Sequence, residues 1–270
     1  MASTASAVQL SAPVHPQRIS ISSILERAWM TVRQNPLLTI SLSMLLGAAP
    51  VVAWNYFLQL IRPVLIFTIG GYLLPNAIAL FFAQFFISLI VGVVMQGAIV
   101  IPVLATDQGS RPGYGACFAS VLRNLWPLMM LGVLTAVAVE IGSTLLIVPG
   151  VVVYLLWSVA PSALVAEGDG IFLALDRSQE LVKGARLKVF ALLFLLEIAN
   201  AVIGIVGLLV VGRVFGFSAR ILESPGYAVT LFLINIVSCL MWAAVQGSLY
   251  VELRQWKEGG SVDTLQRVFA

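Results

Sequence analysis

Residues 77–105 read AIALFFAQFFISLIVGVVMQGAIVIPVLA, a run without a single Asp, Glu, Lys or Arg. As an α-helix it would rise roughly 43 Å at 1.5 Å per residue, more than the ~30 Å hydrocarbon core of a bilayer. Lipid is the only solvent that suits it. The remaining sequence agrees: 60% of the 270 residues are hydrophobic and 10% are charged, against roughly 25% charged in an ordinary soluble domain. With a mean hydropathy of +1.02, its 15 basic and 12 acidic residues cannot furnish the polar shell of a soluble globule.

Five further segments are long and apolar enough to cross: 37–61, 125–147, 150–166, 187–212 and 227–250. The predicted fold class is an all-α polytopic membrane protein with six transmembrane helices. Val148-Pro149-Gly150 is a turn signal that makes the third and fourth spans a tight hairpin. The fourth is short, so a tilted or re-entrant path is its alternative, and Trp157 with Ala160-Pro161 marks a kink.

Charge placement orients these spans. One side carries Arg18, Arg27, Arg33, Arg111, Arg123, Arg177, Lys183, Arg186, Lys188, Arg254, Lys257 and Arg267; the other carries Arg62, Arg213 and Arg220. Twelve against three predicts cytoplasmic termini. Acids are interleaved among the twelve, among them Glu26, Asp107, Glu167 and Glu252, so no basic patch for nucleic acid accumulates. Residues 1–19 form a disordered cytoplasmic tail without a secretory signal, residues 20–258 form one membrane domain, and residues 259–270 form a second tail.

An amphipathic helix precedes each odd-numbered span. In the first, Ile21, Ile24, Leu25, Ala28, Trp29 and Val32 share a face, and Ser23 with Glu26 fits a capping box. In the second, Tyr114, Cys117, Phe118, Val121, Leu122 and Leu125 follow an N-cap and start at Ser110 and Pro112. The third begins after Asp169 with Ile171, Ala174, Leu175 and Val182 opposite Asp176, Arg177, Glu180 and Lys183. All three are expected in the cytoplasmic interface, the alternative being ordinary amphipathic helices that extend the spans into the cytosol and pack on one another.

Glu26-Arg27 matches Asp176-Arg177 and Gln96-Gly97 matches Gln246-Gly247, each pair 150 residues apart. The chain therefore reads as parallel units at 20–105, 110–166 and 170–255, the middle one shorter and without a constant offset. Parallel units differ from the inverted repeats of many transporters.

Polar residues inside the spans are the candidate intramembrane site. Glu140 lies in the third span, and Glu197 with Asn200 in the fifth. Gln84, Ser88, Gly92 and Gln96 share one face of the second, and Asn235, Cys239, Ala243 and Gln246 share one of the sixth. They are either glue between helices or the lining of a polar cavity. Trp29, Trp54, Trp126, Trp157, Trp242 and Trp256 fall mostly near span ends, as interfacial anchors should, with Trp157 deeper, whereas Cys117 and Cys239 read as small apolar fillers. His15 is the only histidine, so neither a zinc site nor a histidine-based triad can be built, and no phosphate-binding glycine loop occurs. No cofactor and no metal are expected.

Ile147-Val148-Pro149-Gly150, Trp157, Ala160-Pro161, Glu167, the helix Ala174-Leu175-Asp176-Arg177-Ser178-Gln179-Glu180-Leu181-Val182-Lys183-Gly184 and the ending Tyr250-Val251-Glu252-Leu253-Arg254 carry a resemblance. The chain resembles uncharacterised bacterial integral-membrane families related to the membrane domain of glycerophosphoryl diester phosphodiesterase. The resemblance implies a six-helix domain in the bacterial inner membrane and no activity. The diesterase's separate catalytic domain, with its essential histidines, has no counterpart in this chain.

The function expected is a non-enzymatic membrane scaffold or regulatory module, its partners being membrane lipids and a protein at the cytoplasmic face, with no nucleic acid. A transporter or channel for a small solute, ion or lipid is the first alternative. A lipid-modifying enzyme using Glu167, Asp169, Asp176 and Glu180 is the second.

Overall fold

The computed structural model describes residues 19–68, 73–110, 113–168, 170–215 and 225–269. The N-terminal tail with His15 and Arg18, and Arg111, Asp169, Arg220 and the Arg62 side chain, lie outside the described residues.

The helices are α1 (Ile21–Gln34), α2 (Pro36–Leu42), α3 (Ala49–Thr68), α4 (Leu73–Asp107), α5 (Tyr114–Leu145), α6 (Ile147–Leu156), α7 (Ala160–Glu167), α8 (Ile171–Val182), α9 (Arg186–Phe215) and α10 (Pro225–Phe269). Among the described residues, six segments are long and apolar enough to cross a bilayer: Pro36–Ile61, Ala79–Asp107, Cys117–Leu145, Ile147–Glu167, Arg186–Val214 and Gly226–Glu258. The protein is an all-α, multi-pass membrane protein.

The first span is not one regular helix. A π-helical turn at Ser43–Ala48 joins α2 to α3, just before Pro50, whose ring and missing N–H disfavour a regular turn there. Ser43 Oγ donates to the Ile236 carbonyl at 2.7 Å, and Gly47 lies so close to α10 that a Cβ would stand 2.8 Å from Cys239 Cβ. The widened turn is thus where the first span meets the last.

α4 is the centre of the bundle, packed against α5, α7, α10 and the π-helical turn. Met95, Ile99, Val100 and Val103 of α4 share one buried core with Ala243, Val245, Leu249, Tyr250 and Leu253 of α10, the two helices being packed together. Residues 150 apart occupy like environments: Ile24 and Ala174, Ala28 and Ser178, Ile99 and Leu249, and Val103 and Leu253 are all buried. α9 is peripheral and exposes Phe194, Ile198, Val202 and Ile205.

Three local expectations are corrected. The second amphipathic segment is no separate helix: α5 runs unbroken from Tyr114 to Leu145. Its length of about 48 Å exceeds the hydrocarbon core, so its first turns project beyond the span without a break. Ser110 does not cap α5; its N–H and Oγ both bond the Ala105 carbonyl and close α4, leaving Gly113 as the N-cap. Ser23 does not cap α1 either, because the helix starts at Ile21; its hydroxyl contacts the Ser20 carbonyl and Glu252. At the other end the helical backbone of α10 continues through Phe269.

The hairpin turn is shifted as well. Extended Leu146 (φ −159°, ψ 141°) makes the turn, and Val148-Pro149-Gly150 forms the first turn of α6. Pro149 is tolerated there because the first N–H groups of a helix have no intrahelical acceptor. Gly142 and Gly150 let the two helices touch: a Cβ on Gly142 would lie 2.9 Å from both Gly150 Cα and its N. Gly142→Val is expected to cost about 2–3 kcal/mol by overpacking, read as a fall in melting temperature in detergent; an unchanged melt would refute this close contact.

Candidate functional site

The fourth span breaks at Trp157–Val159, between α6 and α7. Pro161 has no N–H for the Trp157 carbonyl, and the Ala160 N–H takes that acceptor instead at 3.1 Å. Backbone groups around the break are left without regular helical partners, and in a membrane interior they must be satisfied within the protein. Three side chains from three other helices do so.

Ser178 of α8 donates to the Leu156 carbonyl at 2.7 Å and accepts from the Val159 N–H at 3.3 Å. Gln96 of α4 donates to the Ser158 carbonyl at 2.8 Å and to Ser162 Oγ at 3.1 Å. The Gln246 amide is oriented by its neighbours: its nitrogen donates to Gln96 Oε1 at 2.6 Å and to the Ser158 carbonyl at 2.8 Å. Its oxygen accepts from Trp242 Nε1 at 2.6 Å and Tyr154 OH at 3.2 Å. Gln96 and Gln246 are 3% and 2% exposed. The repeat-related glutamines therefore meet over the break, and their amide groups are engaged by protein.

None of the other intramembrane candidates is hydrogen-bonded to this pair, although Glu197 lies near enough to Tyr154 to act on it by charge. Asn235 bonds its own helix at the Leu231 carbonyl (2.8 Å), and Gln84 Nε2 reaches only Ser88 Oγ, at 3.4 Å. Glu140 is half-buried with Oε1 lacking a hydrogen-bond partner. Glu197 is exposed on α9, with Asn200 half-buried beside it. The predicted constellation thus divides into a closed glutamine pair and scattered groups.

Sequence reasoning missed a second assembly at the charged end of the bundle. Arg27 of α1 pairs with Asp107 of α4 at 3.2 Å and Glu252 of α10 at 3.6 Å, and Gln255 bridges Arg27 and Asp107 at 2.9 Å each. Arg177 of α8, 150 residues on, pairs with Glu167 of α7 at 3.2 Å, Glu180 at 3.4 Å and Glu258 of α10. Tyr250 OH donates to Glu167 at 2.8 Å, Arg254 Nε holds Glu258 at 2.9 Å and Lys257 donates to the Glu180 carbonyl. Burial opposes the Arg177 charge, but the hydrogen bond and charge of Glu167, aided by Glu180, outweigh it and hold the guanidinium above its ordinary range. The matched Arg27 and Arg177 were visible in the 150-residue offset. Their partners sit at span ends distant in sequence and carried no such signal.

Each arginine ties an amphipathic helix to the ends of two inner helices. A multi-pass bundle with a closed glutamine seam and two arginine clamps at its charged end is the class of protein defined. No family model matches the chain, and no solved structure matches it.

Proposed function

We propose that this chain is a non-enzymatic scaffold or regulatory module of a bacterial inner membrane, with both termini cytoplasmic, whose charged face organises lipid and recruits a protein partner. The observation that carries this reading is the apolar surface beside the clamps. Leu25, Trp29 and Met30 of α1, Tyr114, Phe118 and Leu122 of α5, and Phe172 and Leu173 of α8 are exposed, next to charged residues that favour the headgroup layer. The resemblance to membrane families related to the diesterase's membrane domain supports the location and brings no activity with it.

A nitroxide at position 30 should report headgroup depth in nanodiscs. Leu25→Ser with Trp29→Ser should shift it toward water, by tens of percent in relative collision rates with oxygen and a water-soluble relaxant, while the melt stays within about 0.5 kcal/mol, as for exposed sites. A label already in bulk water in the unaltered protein would overturn the interfacial reading.

A transporter is the second reading, favoured by buried atoms without partners away from the charged end: Trp54 Nε1, Gln84 Oε1, Glu140 Oε1 and Ser238 Oγ. Such groups are what a hydrated site leaves behind. Glu140→Gln should then change solute or proton flux in proteoliposomes severalfold; equal flux with both proteins would dismiss it.

A further inference from the structure

A surface cavity of about 670 Å³ opens at the charged end, along α8 and the turn into α9, within the ~300–1,000 Å³ typical of ligand sites. Its charges fall into two sets. Glu167, Arg177 and Glu180 are engaged with one another. Among the described residues, Asp176, Lys183 and Arg186 have no ion-pair partner. The free set is one carboxylate and two cations.

The turn brings the two cations together. Gly184 takes φ +93°, a conformation that favours glycine, and a Cβ there would press on the Trp256 ring at 3.2 Å. Lys183 precedes it, and Arg186 opens α9, whose first-turn N–H groups add a partial positive charge suited to phosphate. Leading away from this corner, Leu187, Phe190 and Phe194 follow helical spacing on one exposed face, with the two phenylalanine rings stacked at 6.0 Å. Leu173 lines the cavity, and both it and its chain neighbour Phe172 are exposed. An apolar track therefore runs down from a pocket that offers sites for an anion and a cation.

The geometry points to a binding site for a membrane phospholipid with a phosphoethanolamine headgroup. Lys183 and Arg186 hold the phosphate, Asp176 accepts from the ammonium, and the acyl chains lie along Leu187, Phe190 and Phe194. A primary ammonium has N–H donors for a carboxylate, whereas a quaternary ammonium has none and is recognised by aromatic faces. Among the described residues no aromatic side chain lines the cavity, and its three acids are matched by Arg177, Lys183 and Arg186, a balance that suits a zwitterionic headgroup better than one of net negative charge. This assignment rests on the interfacial reading proposed above.

The test is native mass spectrometry of the delipidated full chain, titrated with phosphatidylethanolamine, phosphatidylcholine and phosphatidylglycerol of matched acyl chains. Phosphatidylethanolamine should be retained at least fivefold over the other two. Asp176→Asn should erase its advantage over phosphatidylcholine, and Lys183→Gln with Arg186→Gln should reduce retention of all three. Circular dichroism melts of these variants should match the unaltered protein, since the three side chains have no ion-pair partner to lose. Equal retention of the three lipids, or a preference untouched by Asp176→Asn, would overturn the assignment. Displacement of the lipid by water-soluble glycerophosphoethanolamine would also overturn it, in favour of a soluble phosphoamine. A nitroxide at position 172 separates the two readings. Headgroup depth without lipid preference removes only this site, whereas a label in bulk water removes the interfacial reading beneath it.

Discussion

Gln246→Leu is expected to be among the most destabilising single polar substitutions in the molecule. It leaves Trp242 Nε1, Tyr154 OH and Gln96 Oε1 without the Gln246 amide and removes one of two donors to the Ser158 carbonyl. A buried group stripped of its partner costs about 1–3 kcal/mol. Interhelical hydrogen bonds within membranes average nearer 0.6 kcal/mol, because the unfolded chain finds partners too. Weighing four affected groups against that discount gives a loss of about 2–4 kcal/mol. Gln96→Leu should cost a similar amount, and the double variant less than the sum, because both glutamines act on one carbonyl. Glu197→Leu is the contrasting case: its exposed carboxyl on a peripheral helix has no such network, and its removal should leave the melt unchanged or raise it. Unfolding in mixed micelles checks all four. A Gln246→Leu protein as stable as the unaltered one would show that the break in the fourth span needs no closure.

Arg177→Met should have the next largest effect. Loss of the guanidinium leaves Glu167 and Glu258 facing each other's neighbourhood without that cation, at the junction of α7, α8 and α10. Breaking a fully buried pair costs about 3–5 kcal/mol, but the Arg177 side chain keeps 24% of its exposure, and water screens the loss to about 1–3 kcal/mol. Arg177→Lys should recover only part of it, since an ammonium cannot reproduce the planar fork that meets three carboxylates. The pH dependence has a definite sign. A guanidinium held above its ordinary range contributes stability that is complete below its unfolded value and fades only as pH rises through the folded one. That window lies far above neutrality, so the guanidinium's own titration gives no slope between pH 6 and 9. Melts over that interval, with Arg177→Met as the reference, check this. A difference between the two proteins that shrinks steadily from pH 6 to 9 would contradict it.

Architecture was the legible part of the sequence, because lipid imposes a single demand that composition and run length report directly. The run at 77–105 lies within α4, the central helix, and the 150-residue offset located both Gln96 and Gln246. Their meeting point was not legible. It depends on Pro161 breaking the fourth span at a depth where two distant helices present amides, and a sequence read one span at a time does not show which faces converge. Glu197 illustrates the same limit. Its spacing with Asn200 suggested an inward face, yet α9 lies at the edge of the bundle, and helical periodicity cannot tell an inner helix from an outer one when both are apolar on every side. Helix boundaries failed where local signals competed. Ser110 had the chemistry of an N-cap, but the carbonyls ending α4 claimed it first.

A dry glutamine seam is what separates a closed bundle from one with a hydrated pathway through its core. Hydrogen exchange of the Trp242 indole N–H and the Gln96 and Gln246 side-chain amides, followed by NMR in lipid nanodiscs transferred to heavy water, tests that most directly. These protons should stay protected for hours, with Trp29 and Trp126, exposed at the bundle surface, serving as reference indoles. Exchange at the seam as fast as at those two indoles would contradict it and make the seam a hydrated pathway.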